Sequence, residues 1–333
     1  MGCDSDLKSR IQLEDFAFKC LKYKLDDDTP DLSESELVFL SDDYKRSAIS
    51  AMDTENLVEL IISQPMVTLS KSDINTEVVA DSTTFKPLGN LVFCRDQQIT
   101  TAAGVVMMRL NSSQRANEIA VMKFCLEKLG VNPLGSVEEP GTLEGGDFFP
   151  LGRETCFIGL GLRSNMTAVE QLMRNNWFGT RRVCVVRDEF DQSQDRMHLD
   201  CVFNIVSDRI CVCLDSIKGE DSPRRRLVDV YERRDSHQKY VKTVSDVEFT
   251  KFLEQEGWEI IYVTDQEQAN YGCNHLLLGD SNIVCVNESV ARKIARHPLF
   301  DGKISLIDFT AIQAMYGSSH CGSQVLFRRP RSQ

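Results

Sequence analysis

Apolar positions change their period part-way along this chain. Residues 7 to 24 and 43 to 63 predict helices, with Leu57, Leu60, Ile61 and Ile62 as an apolar stripe, separated by the polar break Asp26-Asp27-Asp28-Thr29-Pro30-Asp31. From about residue 88 a different unit repeats: strand, turn, strand, helix, strand. The first copy uses Leu91-Val92-Phe93, Gly104 to Met108 and a helix from Gln114 to Leu129 that stops at Gly130. The second uses Phe148-Phe149, Thr155 to Gly159, a helix near Ala168 to Arg174 and a strand from Arg182 to Val186. The third runs through Cys201 to Ile205, Arg209 to Leu214, a helix around Val247 to Glu256 and Glu259 to Val263. The last has Asn274 to Leu278, Asn282 to Val286, a short helix at Ser289 to Arg296 and Lys303 to Ile307.

An α/β fold follows, with units at roughly fifty-residue spacing arranged as a propeller-like array around a central site. A chain of 333 residues can bury a sizeable core. No apolar run approaches the ~18 residues of a membrane span, and the N-terminus from Met1 to Asp6 is too acidic for a secretory signal. Asp6 also breaks the myristoylation pattern, so the expectation is a cytoplasmic protein without membrane contact. The 12 cysteines are scattered without metal-type spacing; Cys211 and Cys213, alternating along one strand, are expected as core thiols. A net charge of −12 repels phosphate backbones, which argues against a nucleic-acid partner. Arg224-Arg225-Arg226 and the tail Arg328-Arg329-Pro330-Arg331 are expected as solvated surface.

Four short clusters carry candidate chemistry. Gly317-Ser318-Ser319-His320-Cys321-Gly322-Ser323 sets a cysteine among tiny residues, surroundings that expose a thiol rather than pack it. In Met197-His198-Leu199-Asp200, read as the start of a strand, His198 and Asp200 project from one face; a polar strand edge is the alternative. Glu144-Gly145-Gly146-Asp147 places two carboxylates around a glycine pair, or forms a polar turn. Asn90-Leu91-Val92-Phe93-Cys94-Arg95-Asp96 reads as an apolar strand ending in a charged pair or a solvated turn. Several carboxylates, a histidine and an exposed cysteine suit attack on a guanidinium carbon: carboxylates can hold that planar cation in bidentate fashion, and the cation favours the thiolate.

In this order and at these wide spacings, the four motifs resemble the guanidino-group modifying enzymes of the pentein fold, most closely arginine deiminase. The resemblance covers about residues 85 to 330. It implies a pentein-type α/β propeller over 81–333, and a partial helical segment over 1–80 that resembles part of the helical insertion of arginine deiminases. It further implies Cys321 as nucleophile, His198 as general acid and base, Asp96 and Asp200 on the guanidinium nitrogens, and Glu144 beside His198 in the catalytic network. Asn90 and Phe93 would line the pocket; Arg115 and Arg163 would read a substrate carboxylate. No metal or organic cofactor is implied, and the partner is a small guanidino substrate. There are two departures. The arginine usual about five residues before the cysteine is replaced within Met315-Tyr316-Gly317, and the first strand-strand-helix-strand module is missing or incomplete. The second departure would expose strand edges and invite a covering partner or a homo-oligomer. A related dimethylarginine hydrolase or amidinotransferase, or a truncated, non-catalytic binding protein, are the alternatives the residues leave open.

Overall fold

The computed structural model describes residues 6–29, 32–71, 78–235 and 238–327. The residues before Asp6, the Pro30-Asp31 end of the polar break and the basic tail from Arg328 lie outside the described residues. The chain separates into two compact units, Met1–Gly89 and Asn90–Gln333. The expected boundary at residue 80 falls inside a strand, Val78–Phe85.

The first unit is less helical than the apolar pattern suggests. Its opening helix, Leu7–Cys20, is capped by Asp6, whose carboxylate accepts from the Lys8 and Ser9 amides. It ends four residues early, because Leu21 turns extended and Lys22–Leu25 pairs in parallel with Pro65–Lys71. Val78–Phe85 completes this three-stranded sheet. The expected helix over 43 to 63 is two helices, Asp42–Ser50 and Thr54–Ser63. Asp53 divides them by accepting the Asn56 amide at 2.8 Å, as an N-cap residue does. Leu57, Leu60 and Ile61 are buried, but Ile62 is exposed.

In the second unit the predicted repeat is visible as four sheets, each made of an antiparallel hairpin whose second strand pairs in parallel with a strand returning after a helix or turn. Gln98–Thr100, Val105–Met107 and Gly135–Ser136 form the first. Phe148–Leu151, Thr155–Leu160 and Arg182–Arg187 form the heart of the second. Phe203–Ile205, Ile210–Leu214 and Glu259–Val263 form the third, and Leu276–Gly279, Asn282–Cys285 and Ile304–Leu306 the fourth. The pattern missed one hairpin, Leu227–Glu232 with Val241–Glu248, which widens the second sheet to five strands. Among the described residues the sheets are hydrogen-bonded internally and not to one another, so strand pairing closes no barrel, and the expected propeller is not seen. The fold is α/β.

The second and third modules share a core built on aromatic rings. Phe157 meets Phe203, Phe249, Phe252 and Trp258 with centroids 5.5, 6.3, 6.4 and 6.3 Å apart, tilted or edge-on as ring quadrupoles prefer. Cys211 and Cys213 lie fully buried in this cluster as free thiols, where the strand alternation set them. Phe157→Ala should therefore lower stability by about 3–5 kcal/mol, the usual cost of emptying an aromatic core position. Denaturant unfolding would measure it, and a loss below about 1 kcal/mol would mean that the cluster does not act as one packed core.

Candidate active site

Two glycines and two long polar side chains, Arg95 and Gln324, knit together the late cysteine loop, the Glu144-Gly145-Gly146-Asp147 turn and the segment around Asp96. Asn90 to Asp96 is a succession of turns rather than the expected strand, with the Phe93 amide donating to the Asn90 carbonyl at 2.9 Å; the first strand begins only at Gln98. Arg95 donates from its backbone to the Cys321 carbonyl at 3.2 Å, from Nε to the His320 carbonyl at 3.0 Å and from Nη2 to Ser323 Oγ at 2.8 Å. Gln324 returns the contact through its amide to the Cys94 and Arg95 carbonyls. A Cβ on Gly317 would come within 2.1 Å of the Phe93 ring, and one on Gly145 within 2.0 Å of the Arg95 carbonyl. Only bare backbone fits at these two approaches.

The side chains of His198 and Asp200 do not share a strand face. His198 is extended and precedes a 3-10 turn, Leu199–Cys201, that contains Asp200; the strand starts at Phe203. Because Asp147 Oδ1 accepts the Leu199 amide at 2.8 Å, the chain turns here instead of continuing extended. The Glu-Gly-Gly-Asp motif is a buried 3-10 turn too, Gly145–Asp147, leading into Phe148–Leu151. His198 Nε2 lies 2.8 Å from Glu144 Oε2, whose other oxygen accepts the Asn111 amide at 3.0 Å. Asp200 Oδ2 accepts from His320 Nδ1 at 2.8 Å and faces Cys321 Sγ at 3.6 Å. The Cys321 amide donates to Asn274 Oδ1 at 3.3 Å.

The other expected residues are placed unevenly. Phe93 is buried against the cysteine loop, whereas Asn90 is exposed. Arg163 donates to Gln194 at 3.2 Å, and its Nε is buried with no hydrogen-bond partner. Arg115, expected to face a substrate carboxylate, sits on protein carboxylates instead, 2.6 Å from Asp96 and 2.9 Å from Glu118, and also donates to the Phe93 carbonyl. Ligand atoms of Asp96, Glu144 and His198 lie within 4.8 Å of one another, close enough to be considered for a cation. Arg115 already supplies positive charge to Asp96, and Glu144 already occupies His198, so the trio reads as a proton and ion-pair network rather than a metal centre.

Burial drives the electrostatics. The tiny residues do not expose the thiol as expected, since Ser318, Ser319 and His320 are buried and Cys321 is half-buried; burial pushes the Cys321 thiol well above its usual range, and the carboxylates of Asp200 and Asp96 add to the effect. Burial opposes charge on His198 as well, but Asp96, Glu144 and Asp147 outweigh it and shift the imidazole upward, so it is held protonated at neutral pH. His320 goes the other way: burial and the Arg95 cation bring it down to about 4, leaving a neutral ring that donates to Asp200 and stacks on Phe149 at 5.3 Å. Burial lifts Asp147 to about 7. The site therefore holds a thiol and an imidazolium.

Sequence reasoning assigned no role to Arg95, Asn274, His320, Gln324 or Ser164. Arg95 and His320 adjoin Asp96 and Cys321 and could have been suspected. Nothing local marks Asn274 or Ser164.

A model of the arginine deiminase family matches residues 8–328. The arginine deiminase of Halobacterium salinarum is 25% identical over 324 residues, covering 74% of this chain and 65% of its own length. That of Staphylococcus haemolyticus is 27% identical over 261 residues, covering 73% and 62%. The chain thus spans a little under two thirds of the length of these curated relatives. Among solved structures it is similar to the N-terminal domain of ArgZ, an arginine dihydrolase from the ornithine-ammonia cycle in cyanobacteria, at 18% identity and a TM-score of 0.53 over 77% of each chain. DDAH from Pseudomonas aeruginosa complexed with citrulline gives 18% identity and a TM-score of 0.50 over 69% of this chain and 74% of that one. These likenesses extend the α/β assignment to neighbours of the pentein type.

With its thiol shifted upward, Cys321 should react slowly with iodoacetamide at neutral pH, and the rate should still be climbing beyond pH ~9, since only the thiolate attacks. Peptide mass spectrometry resolves Cys321 from the other cysteines. A plateau reached below pH ~8 would contradict this account.

Proposed function

This chain belongs to the arginine deiminase family, and on that premise we propose that it is a hydrolase of C–N bonds in linear amidines, converting L-arginine and water to L-citrulline and ammonia. The observation that carries the reading is the facing of the Cys321 thiol and the buried Asp200 carboxylate, with Asp96 nearby and His198 held on Glu144. In this reading Cys321 is the nucleophile, His198 the general acid and base, and the modules surround the cleft in the pentein manner.

A guanidinium entering between Asp96 and Asp200 adds the positive charge that the thiol lacks. It offsets the two carboxylates that raise Cys321, so the thiol gives its proton to solvent water as substrate arrives and regains one when the protonated ureido product sheds its own at the end of the cycle. The thiolate then adds to the guanidino carbon. The C–N bond breaks as the His198 imidazolium gives its proton to the departing ammonia. Neutral His198 next takes a proton from water, whose oxygen attacks the amidino carbon; the C–S bond breaks, releasing the ureido product and Cys321. Glu144 keeps the ring oriented throughout, and Asn90 and Phe93 bound the pocket. With Arg115 held by Asp96 and Glu118, recognition of a carboxylate falls mainly to Arg163, and Arg115 supports Asp96. A dimethylarginine hydrolase or amidinotransferase would use the same residues and differ in what enters or accepts the amidino group.

Incubating the protein with arginine, agmatine and dimethylarginine, and following ureido product and ammonia, tests the reading. Cys321→Ser should abolish turnover while the protein stays folded, and His198→Asn should slow it by about 10²- to 10⁴-fold. Activity retained in Cys321→Ser would exclude the covalent route, and no product from any substrate with the unmodified protein would favour a non-catalytic binding role.

The two ends of the substrate can be separated. Asp96→Ala should cripple arginine and agmatine alike, whereas Arg163→Ala should lower kcat/KM for arginine by about ten- to a hundred-fold and spare agmatine, which has no carboxylate. Equal losses on both substrates in Arg163→Ala would make that arginine structural.

A further inference from the structure

We propose that Ser164 and Asp147 form a buried clamp that positions His198 against Glu144. Both side chains are almost wholly enclosed, and neither touches Cys321 among their recorded hydrogen bonds. The Glu144 amide donates to Ser164 Oγ at 3.2 Å, the Ser164 hydroxyl donates to Asp147 Oδ2 at 2.5 Å, and the Leu199 amide donates to Asp147 Oδ1 at 2.8 Å. This is a continuous chain from the backbone of one proton-transfer partner to the residue after the other. A hydroxyl suits the middle position because it accepts and donates at once, and a carboxylate suits the end because it offers one oxygen to each side.

The surroundings leave the clamp little freedom. Asp147 packs against the bare backbone of Gly159, where a Cβ would lie 2.3 Å from Oδ1. The His198 ring rests on Gly146, where a Cβ would lie 2.8 Å from Nδ1. The turn carrying Ser164 is tied back independently, since the Asn165 amide donates to the Thr142 carbonyl at 2.9 Å and Asn165 Oδ1 accepts the Thr142 amide at 3.1 Å. Ser164 therefore occupies a fixed point from which its hydroxyl sets the distance between the Glu144 and Leu199 backbones. His198 has no recorded hydrogen bond through Nδ1; its ring is placed by the 2.8 Å contact with Glu144 and by the backbone the clamp holds. Ser164 and Asp147 are positioning residues: they act through the geometry of His198 and Glu144.

The inference rests on His198 being the proton-transfer group, but its test reads the ring itself. In protein labelled at histidine and free of substrate, NMR follows the five histidines through pH, with His198→Asn identifying the resonance. The carboxylates that hold His198 protonated are Asp96, Glu144, Asp147 and Asp200. Arg196, Arg226 and Asp188 line the small space beside it. Ser164→Ala keeps all of these residues and removes only the hydroxyl, whose loss also raises Asp147, so the midpoint is read above pH ~9, where Asp147 stays ionised. It should lower the His198 titration midpoint by about one unit, corresponding to a tenfold weaker hold on the imidazolium. Ser164→Thr, which keeps the hydroxyl, should restore it, and Ser164→Cys, a weak donor, should fall between and serves in place of Ser164→Ala if that variant does not fold. With agmatine, kcat should fall in Ser164→Ala with KM within about twofold, because the guanidinium contacts are untouched. A folded Ser164→Ala or Ser164→Cys with the wild-type His198 midpoint would overturn the clamp. Loss of turnover with an unmoved midpoint would do the same, while a midpoint shifted by Ser164→Ala when the unmodified protein turns over no substrate would sustain the clamp and sink the hydrolase reading.

Discussion

Four carboxylates buried around one histidine are the constraint on which this site depends. Asp96, Glu144, Asp147 and Asp200 are 5, 1, 3 and 0% exposed, and an ionised carboxylate so far from water is costly unless it is paired and hydrogen-bonded. Each has found such partners: Asp96 the Arg115 guanidinium and the Gly146 amide, Glu144 the His198 ring and the Asn111 amide, Asp147 the Leu199 amide and Ser164, Asp200 the His320 ring. Removing one partner strands a buried charge, so the network is rigid for the same reason that it is expensive.

That rigidity is obtained from backbone rather than from bulk. Turns at 90 to 97, the 3-10 turns at Gly145–Asp147 and Leu199–Cys201, and the cysteine loop all lie outside the regular strands, and each is pinned by amide-to-carboxylate or side-chain-to-carbonyl bonds. Arg95, itself buried, is spent on carbonyls of the cysteine loop, so its cation also screens Asp200 from the thiol's side. The modules behind, with their aromatic core, supply a stiff platform on which such irregular segments can be held.

The positive charges already present explain the resting state of the thiol. Arg115 and the His198 imidazolium serve Asp96 and Glu144, while the ring beside Cys321, that of His320, is neutral. Arg95, the buried cation that reaches this loop, is held on its His320 carbonyl, and burial together with the carboxylates of Asp200 and Asp96 still keeps the thiol protonated. A cationic ligand would add positive charge beside the thiol, which is why a guanidinium suits the proposed reaction.

Much of this was legible in the chain itself. Short apolar runs marked most strands of the second unit, since strands such as Thr155–Leu160, Arg182–Arg187 and Ile210–Leu214 are buried on both faces, and the run records that burial residue by residue. The four motifs, each ambiguous alone, nominated Cys321, Asp200, His198, Glu144 and Asp96 through the resemblance of their order and spacing to arginine deiminases. What the tertiary structure alone decided is how these residues meet. Sequence alternation put His198 and Asp200 on one strand, but a bond from Asp147, 52 residues away, folds that segment into a turn. Arg115 was expected to read a substrate carboxylate, yet Asp96, 19 residues earlier, claims it. Local periodicity reports only which side of an element is buried; the partner that satisfies a buried charge is chosen by the packing of segments distant in the chain, and that choice leaves no local trace.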